Sequence, residues 1–252
     1  MTIEPSWQLG LALVLLVGVA LLASRVGRLR IGRETVVAAV RAVVQLALVS
    51  LIVVAAISHL ALAALFVLGM FAIGVWTTTG RVGARRAWPY AATAMAAGVA
   101  PVLLIVFGTG TAPLTGAALV PIAGIVVGNM MTAHTLVGRT SFAMLRERIG
   151  EYEAALAIGL TRAQAIALVD PDSAREATIP TNDQTRTVGL VTLPGAFIGV
   201  LLGGGSPIQA GAAQVLVLVG ILAGQAVTVT VAHRLIEAAR LLPEDLRARL
   251  RP

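Results

Sequence analysis

The chain alternates long apolar runs with short polar breaks, and the runs approach the roughly 20 residues needed to cross a bilayer as a helix. Seven stand out, near residues 7–24, 35–57, 60–79, 89–107, 117–137, 185–204 and 208–232. Neither alternation at period two nor a narrow amphipathic stripe organises them, so the pattern predicts an all-α, polytopic bundle of about seven transmembrane helices. Only one polar stretch is long. Residues 138–184 sit between two apolar runs and carry most of the acidic groups. Charge in hydrocarbon is costly, so this stretch meets water or a soluble partner. Its 141–168 part is rich in Ala, Leu, Glu and Arg and is predicted as a helix that Pro171 stops.

Composition supports this reading. Of 252 residues, 58% are hydrophobic and 12% are charged, against roughly 25% charged in ordinary globular chains. One compact membrane domain over 1–252, with 138–184 as its cytoplasmic segment, is the expected organisation. There is no cysteine, which excludes disulfides and cysteine metal sites. The net charge of +7 rests on 19 basic residues, all arginine. Because they flank apolar runs, they do not indicate nucleic acid. A Walker A loop needs a lysine on the nucleotide phosphates, so this chain holds no ordinary one.

Arginine placement also orients the chain. Arg25, Arg28, Arg30 and Arg33 follow the first run; Arg81, Arg85 and Arg86 follow the third. Arg139, Arg146, Arg148, Arg162 and Arg175 lie in the long polar stretch, and five more arginines fall at Arg234 and beyond. The breaks at 58–59, 108–116 and 204–207 have none. The positive-inside rule therefore predicts an outside N-terminus and an inside C-terminus, in a multi-pass protein of the cell membrane. The first run is expected not to be a cleavable signal, since Glu4 and no arginine precedes it.

Several residues are candidates for chemistry. Asn129, Met130, Met131, Thr132 and His134 form the most polar run inside a span. A neutral His with Asn and Met suits a borderline metal; the same groups also suit interhelical hydrogen bonds and packing. Thr185 and Arg186 lie where the polar stretch re-enters the membrane, with Asp183 three residues before Arg186. Arg186 could meet an anionic cargo or pair locally with Asp183. Gly195, Gly199 and Gly203 put a small-residue stripe on one helix face, suited to close packing inside the bundle or at a subunit interface, as do Gly220 and Gly224. Pro194 is a candidate gating kink. Catalytic signatures such as HExxH or GxSxG are absent, so a transport subunit is expected and an enzyme is not.

Three stretches together resemble a known family. Glu153-Ala154-Ala155-x-x-x-Gly159 is similar to the EAA motif of ABC-transporter permeases. Gly128-Asn129-Met130-Met131-Thr132-Ala133 is the second, and Thr185 to Gly195 followed by Gly203-Gly204-Gly205-Ser206-Pro207 is the third. They resemble the FetB (YbbM) type of permease, related to plant aluminium-tolerance half-transporters. The resemblance implies a homodimeric membrane subunit with a cytoplasmic ABC ATPase as partner. ATP and Mg would bind that partner, and this chain would bind no cofactor of its own. It also implies ATPase coupling through Glu153, Ala154, Ala155 and Gly159; the polar residues read above, Asn129, Met130, Met131, Thr132, His134, Thr185 and Arg186, are the candidate cargo pathway. Bacterial relatives are associated with iron export and plant relatives with UDP-glucose or aluminium tolerance. Iron or another metal is the leading cargo expectation and a sugar nucleotide is second. A stand-alone secondary transporter or channel is the rival of a different class.

Overall fold

The computed structural model describes residues 6–250. It forms two compact units, Met1–Ser58 and His59–Pro252, each described by itself. The structure is 82% helical, with no strand among the described residues. In hydrocarbon every backbone N–H and C=O must pair within its own segment, and a helix achieves that.

The first unit is a helical pair. Helix α1 (Trp7–Val26) is capped by Ser6, whose hydroxyl accepts from the Leu9 N–H, and α2 is Gly32–Ser58. Both are apolar around nearly their whole circumference and largely exposed within the unit.

The second unit is built on four long helices: α3 (Leu60–Arg81), α4 (Trp88–Gly108), α5 (Gly116–Glu147) and α11 (Pro207–Glu237). At 1.5 Å per residue, the 32 residues of α5 span about 48 Å, well beyond a hydrocarbon core of about 30 Å. Its last turns therefore project past the membrane and lead into α6 (Ile149–Ala157), α7 (Arg162–Val169), α8 (Ser173–Glu176) and α9 (Ile179–Thr187). The core lies where α4, α5 and α11 meet. A Cβ on Gly98 would sit 2.0 Å from Thr228 Oγ1 and 2.4 Å from the Gly224 carbonyl oxygen. The fully buried Met130 side chain fills the space beside both glycines. The chain closes with α12 (Glu244–Arg249), which buries Leu246 and is held by ion pairs from Arg146 to Asp245 at 2.7 Å and from Arg86 to Glu244 at 2.8 Å.

Among the described residues six helices are long and apolar enough to cross a membrane: α1, α2, α3, α4 with its leading turn, α5 and α11. The predicted span at 185–204 is not a continuous helix. It is α9, a turn closed by a bridge between Val188 and Thr192, an extended Pro194, and α10 (Gly195–Leu202). Gly189 takes φ +85° in that turn. The chain still runs the length of the bundle here, because α5 and α11 are parallel. Gln225 Nε2 donates to the Asn129 carbonyl at 3.3 Å, and His233 lies near the Ser141 end of α5. Between the end of α5 and the start of α11 the chain must therefore return, and it does so as a broken element.

Two further expectations are corrected. Pro194 kinks no helix: at φ −69° and ψ 160° it is the N-cap of α10. Within the second unit the Gly195, Gly199 and Gly203 stripe packs on no other helix among the described residues, since a Cβ on Gly195 or Gly199 would meet nothing within 4 Å and one on Gly203 only its own helix. Close packing falls instead to Gly220 and Gly224, and to Gly98, which the spacing pattern did not pick out.

Candidate functional site

The long polar stretch folds as a hairpin rather than the single 141–168 helix expected. Arg148 breaks the continuation of α5, and Gly159 turns α6 back into α7. Gly159 takes φ +93°, a region open mainly to glycine. Its N–H donates to the Leu156 carbonyl and the Leu160 N–H to the Ala155 carbonyl. These two bonds satisfy carbonyls that the end of α6 leaves orphaned. Thr161 then caps α7 in a reciprocal box with Gln164. The inner side of the hairpin buries Tyr152, Ala155, Ala165, Ile166 and Val169. Glu153 and Ala154 face outward with Ala157 and Gly159, and Ile158 stands 78% exposed at the tip. Of the four predicted coupling residues, Ala155 is thus interior. The other three share an outer surface with Ile158, an apolar residue that the motif skips.

The hairpin is anchored firmly. Arg148 Nη1 donates to the Val169 carbonyl at 2.7 Å and its guanidinium pairs with Glu151. Helices α7 and α8 pack on both α5 and α11. At that junction Asp170, 1% exposed, lies beside the hydroxyls of Ser141 and Ser173. His233 Nε2 donates to its carbonyl oxygen at 3.1 Å and stands 3.4 Å from Oδ2, while Nδ1 is 3.4 Å from Glu237. Burial pushes the Asp170 carboxyl pKa up, but donors on His233, Ser141 and Ser173 outweigh it and hold the group below its ordinary value. Sequence reasoning missed this cluster. Its only signal was an acid ending an apolar helix, Val169-Asp170-Pro171, and a histidine near the end of the last long helix.

A second site opens where the 185–204 stretch is broken. A cleft of about 330 Å³ lies between α5, α9, α10 and α11, lined by Asn129, Thr181, Gln184, Pro194 and Gln214 among others. Gln214 is buried, and its Oε1 accepts from the Phe197 N–H at 3.2 Å. Asn129 Nδ2 donates to the Ile125 carbonyl, which leaves its Oδ1 available. Its polar lining is three amides, Asn129, Gln184 and Gln214, and the Thr181 hydroxyl, set among apolar residues such as Ile125, Leu218 and Ile221. Of the predicted cargo residues only Asn129 reaches it. Thr132 bonds its own helix at the Gly128 carbonyl. Met130 is the packing knob already described, and Met131 leans on the core. His134 is fully buried toward α3, its Nδ1 2.8 Å from Thr78 Oγ1, which is itself 2.8 Å from Thr135 Oγ1. Thr185 bonds back to the Thr181 carbonyl, and Arg186 pairs with Asp183 at 3.1 Å. Thr181, Gln184 and Gln214 went unnoticed, although an amide within an apolar span such as Gln214 is itself a signal.

Known proteins place this architecture. A rice protein described as UPF0014 membrane protein STAR2 is 36% identical over 132 residues, covering 51% of this chain and 45% of that protein. Protein ALUMINUM SENSITIVE 3 of Arabidopsis thaliana is 36% identical over 117 residues, 46% of this chain and 41% of that protein. The probable iron export permease protein FetB of Escherichia coli is 34% identical over 128 residues, 51% of this chain and 49% of that protein. The alignments thus span less than half the length of these relatives. No solved structure matches. The model of the uncharacterised protein family UPF0014 matches residues 6–240; with six membrane-length helices beside that match, the chain is a multi-pass membrane protein and belongs to UPF0014.

Proposed function

We propose that the chain is the permease subunit of an ABC transporter, acting as a homodimer on which two cytoplasmic ATPase subunits dock. The observation that carries this reading is the α6–α7 hairpin. It presents Glu153, Ala154, Ile158 and Gly159 outward while its base is packed on α5 and α11. An exposed isoleucine beside a carboxylate suits a groove in a soluble partner. The partner holds ATP and Mg and hydrolyses the nucleotide. Closure of the two ATPase subunits pushes the hairpin, and the push passes through Asp170 and His233 to the parallel pair α5 and α11. Those helices form two walls of the polar cleft, so its access changes with the nucleotide state. Broken elements beside a polar pocket are a recurring construction in transporters.

For cargo, the similarity to the probable iron export permease of E. coli supports iron or another metal, moved outward. The cleft supports a second reading, a hydroxyl-bearing cargo such as a sugar nucleotide, because the Asn129, Gln184 and Gln214 amides and the Thr181 hydroxyl can exchange hydrogen bonds with such groups. Co-expression with the ATPase subunit tests the docking. Wild-type chain retains the ATPase on purification and stimulates its hydrolysis; Ile158→Asp loses at least tenfold of that retention with an unchanged thermal midpoint. Equal retention by Ile158→Asp and Glu153→Arg would remove the hairpin as the docking element. ATP-driven flux in proteoliposomes, metal ion against sugar nucleotide, decides between the cargoes.

A further inference from the structure

The link between α1 and α2 gathers Arg25, Arg28, Arg30 and Arg33 around a cup of about 490 Å³. Two of these arginines, Arg28 and Arg30, hold φ 50° and 57°, a conformation uncommon for residues with a side chain. The Leu29 N–H donates to the Ser24 carbonyl at 3.0 Å and the Arg28 N–H to the Arg25 carbonyl at 3.2 Å, which curl the link over the end of α1. Ser24 forms part of the floor. It is 5% exposed, and its hydroxyl makes no hydrogen bond among the described residues. None of the four guanidinium groups has an acidic partner within 4 Å among those residues. Four like charges therefore converge on a pocket with an idle buried donor, which calls for an anion.

Leu21 lines this cup and also the end of a second cavity, an apolar groove of about 770 Å³ between the two helices. Val14 and Gly18 form one wall of the groove, Val36, Val40 and Val43 the other. A charged mouth continuous with an apolar groove matches one kind of molecule, with an anionic head and a hydrocarbon tail. We propose that the α1–α2 hairpin binds an anionic phospholipid, its phosphate held by the arginine cup and the Ser24 hydroxyl and an acyl chain lying along the groove. The positive-inside bias explains arginines in this link. It requires neither two left-handed arginines, nor an unpaired buried hydroxyl, nor a groove leading from the same leucine.

Native mass spectrometry of the full chain in detergent, titrated with equal amounts of phosphatidylglycerol and phosphatidylcholine, tests this without any ATPase and so separately from the permease reading. Wild type retains phosphatidylglycerol preferentially. Arg28→Gln with Arg30→Gln leaves Arg25 and Arg33 to keep the topology, and lowers that retention by about 25-fold, at about fivefold per arginine. Gly18→Phe fills open space, since a Cβ there meets nothing within 4 Å, and it lowers retention by blocking the tail. Equal retention of the two lipids, or unchanged retention in both variants, overturns the proposal. Displacement by millimolar inorganic phosphate with no effect of Gly18→Phe overturns it in favour of a phosphate site. Disulfide-linked dimers of Val40→Cys, in a chain that has no other cysteine, overturn it in favour of a second copy in the groove.

Discussion

At the scale of single residues, two groups decide much of the second unit. Asp170 is a carboxylate at 1% exposure whose favourable surroundings come from three different elements. Its pKa is depressed, so the stability it contributes is present above its ordinary value of 3.8 and lost as pH falls through the lower folded value. Asp170→Asn is expected to cost roughly 1–3 kcal/mol at neutral pH. The gap to wild type should close as the pH falls below 3.8, which thermal unfolding across a pH series would show. Gly98 is the second group. Gly98→Ala forces a methyl against Thr228 and the Gly224 backbone, and overpacking of this kind costs about 1–3 kcal/mol or more. Gly199→Ala meets open space and is expected to lie within about 0.5 kcal/mol of wild type in the same assay. The two sites expose a limit of reading spacing. Glycines four apart show which face is smooth, but not whether another helix lies against it. The same holds for residues 129–135, where the polar run left open that Met130 would meet Gly98, and His134 would meet Thr78, while Asn129 alone reached the cleft.

At the scale of elements, hydropathy located five of the six long helices to within a few residues at their starts and found the sixth three residues late. Every one ends at or beyond its predicted limit, by up to ten residues in α5, because a helix that leaves hydrocarbon carries on through polar residues that a window for apolar runs does not count. The element it misdescribed is 185–204, where apolar composition is compatible with a span but Gly189 at φ +85° and an extended Pro194 stop one helix and start another. The coupling segment shows the opposite case. Its helix-forming composition hid the turn, yet Gly159 marked it. A β-branched side chain at φ +93° is strained by roughly 1–2 kcal/mol, whereas Asn tolerates positive φ. Gly159→Val should therefore raise amide hydrogen exchange across residues 156–161 and weaken ATPase retention, and Gly159→Asn should leave both close to wild type. Equal exchange in the two variants would mean that the turn does not depend on this backbone conformation.

At the scale of the whole molecule, the question is which side of the membrane each end of the bundle faces. The arginine pattern alone predicts that the α3–α4 link, the end of α5 and the tail share one side. Within the second unit these three stretches are joined directly, Arg86 to Glu244 and Arg146 to Asp245. Two independent lines thus agree that they lie together, and the orientation we propose from the sign of the charge, with that side in the cytoplasm, is directly testable. Thr109 and Thr111, bonded at 2.7 Å in the link between α4 and α5, mark the opposite end. Because the chain has no cysteine, single-cysteine variants report cleanly. Thr111→Cys should react in intact cells with a membrane-impermeant maleimide, while Ile158→Cys should react only after permeabilisation. Labelling of Ile158→Cys from outside would place the hairpin beyond the reach of any cytoplasmic ATPase, and the coupling role would fall with it.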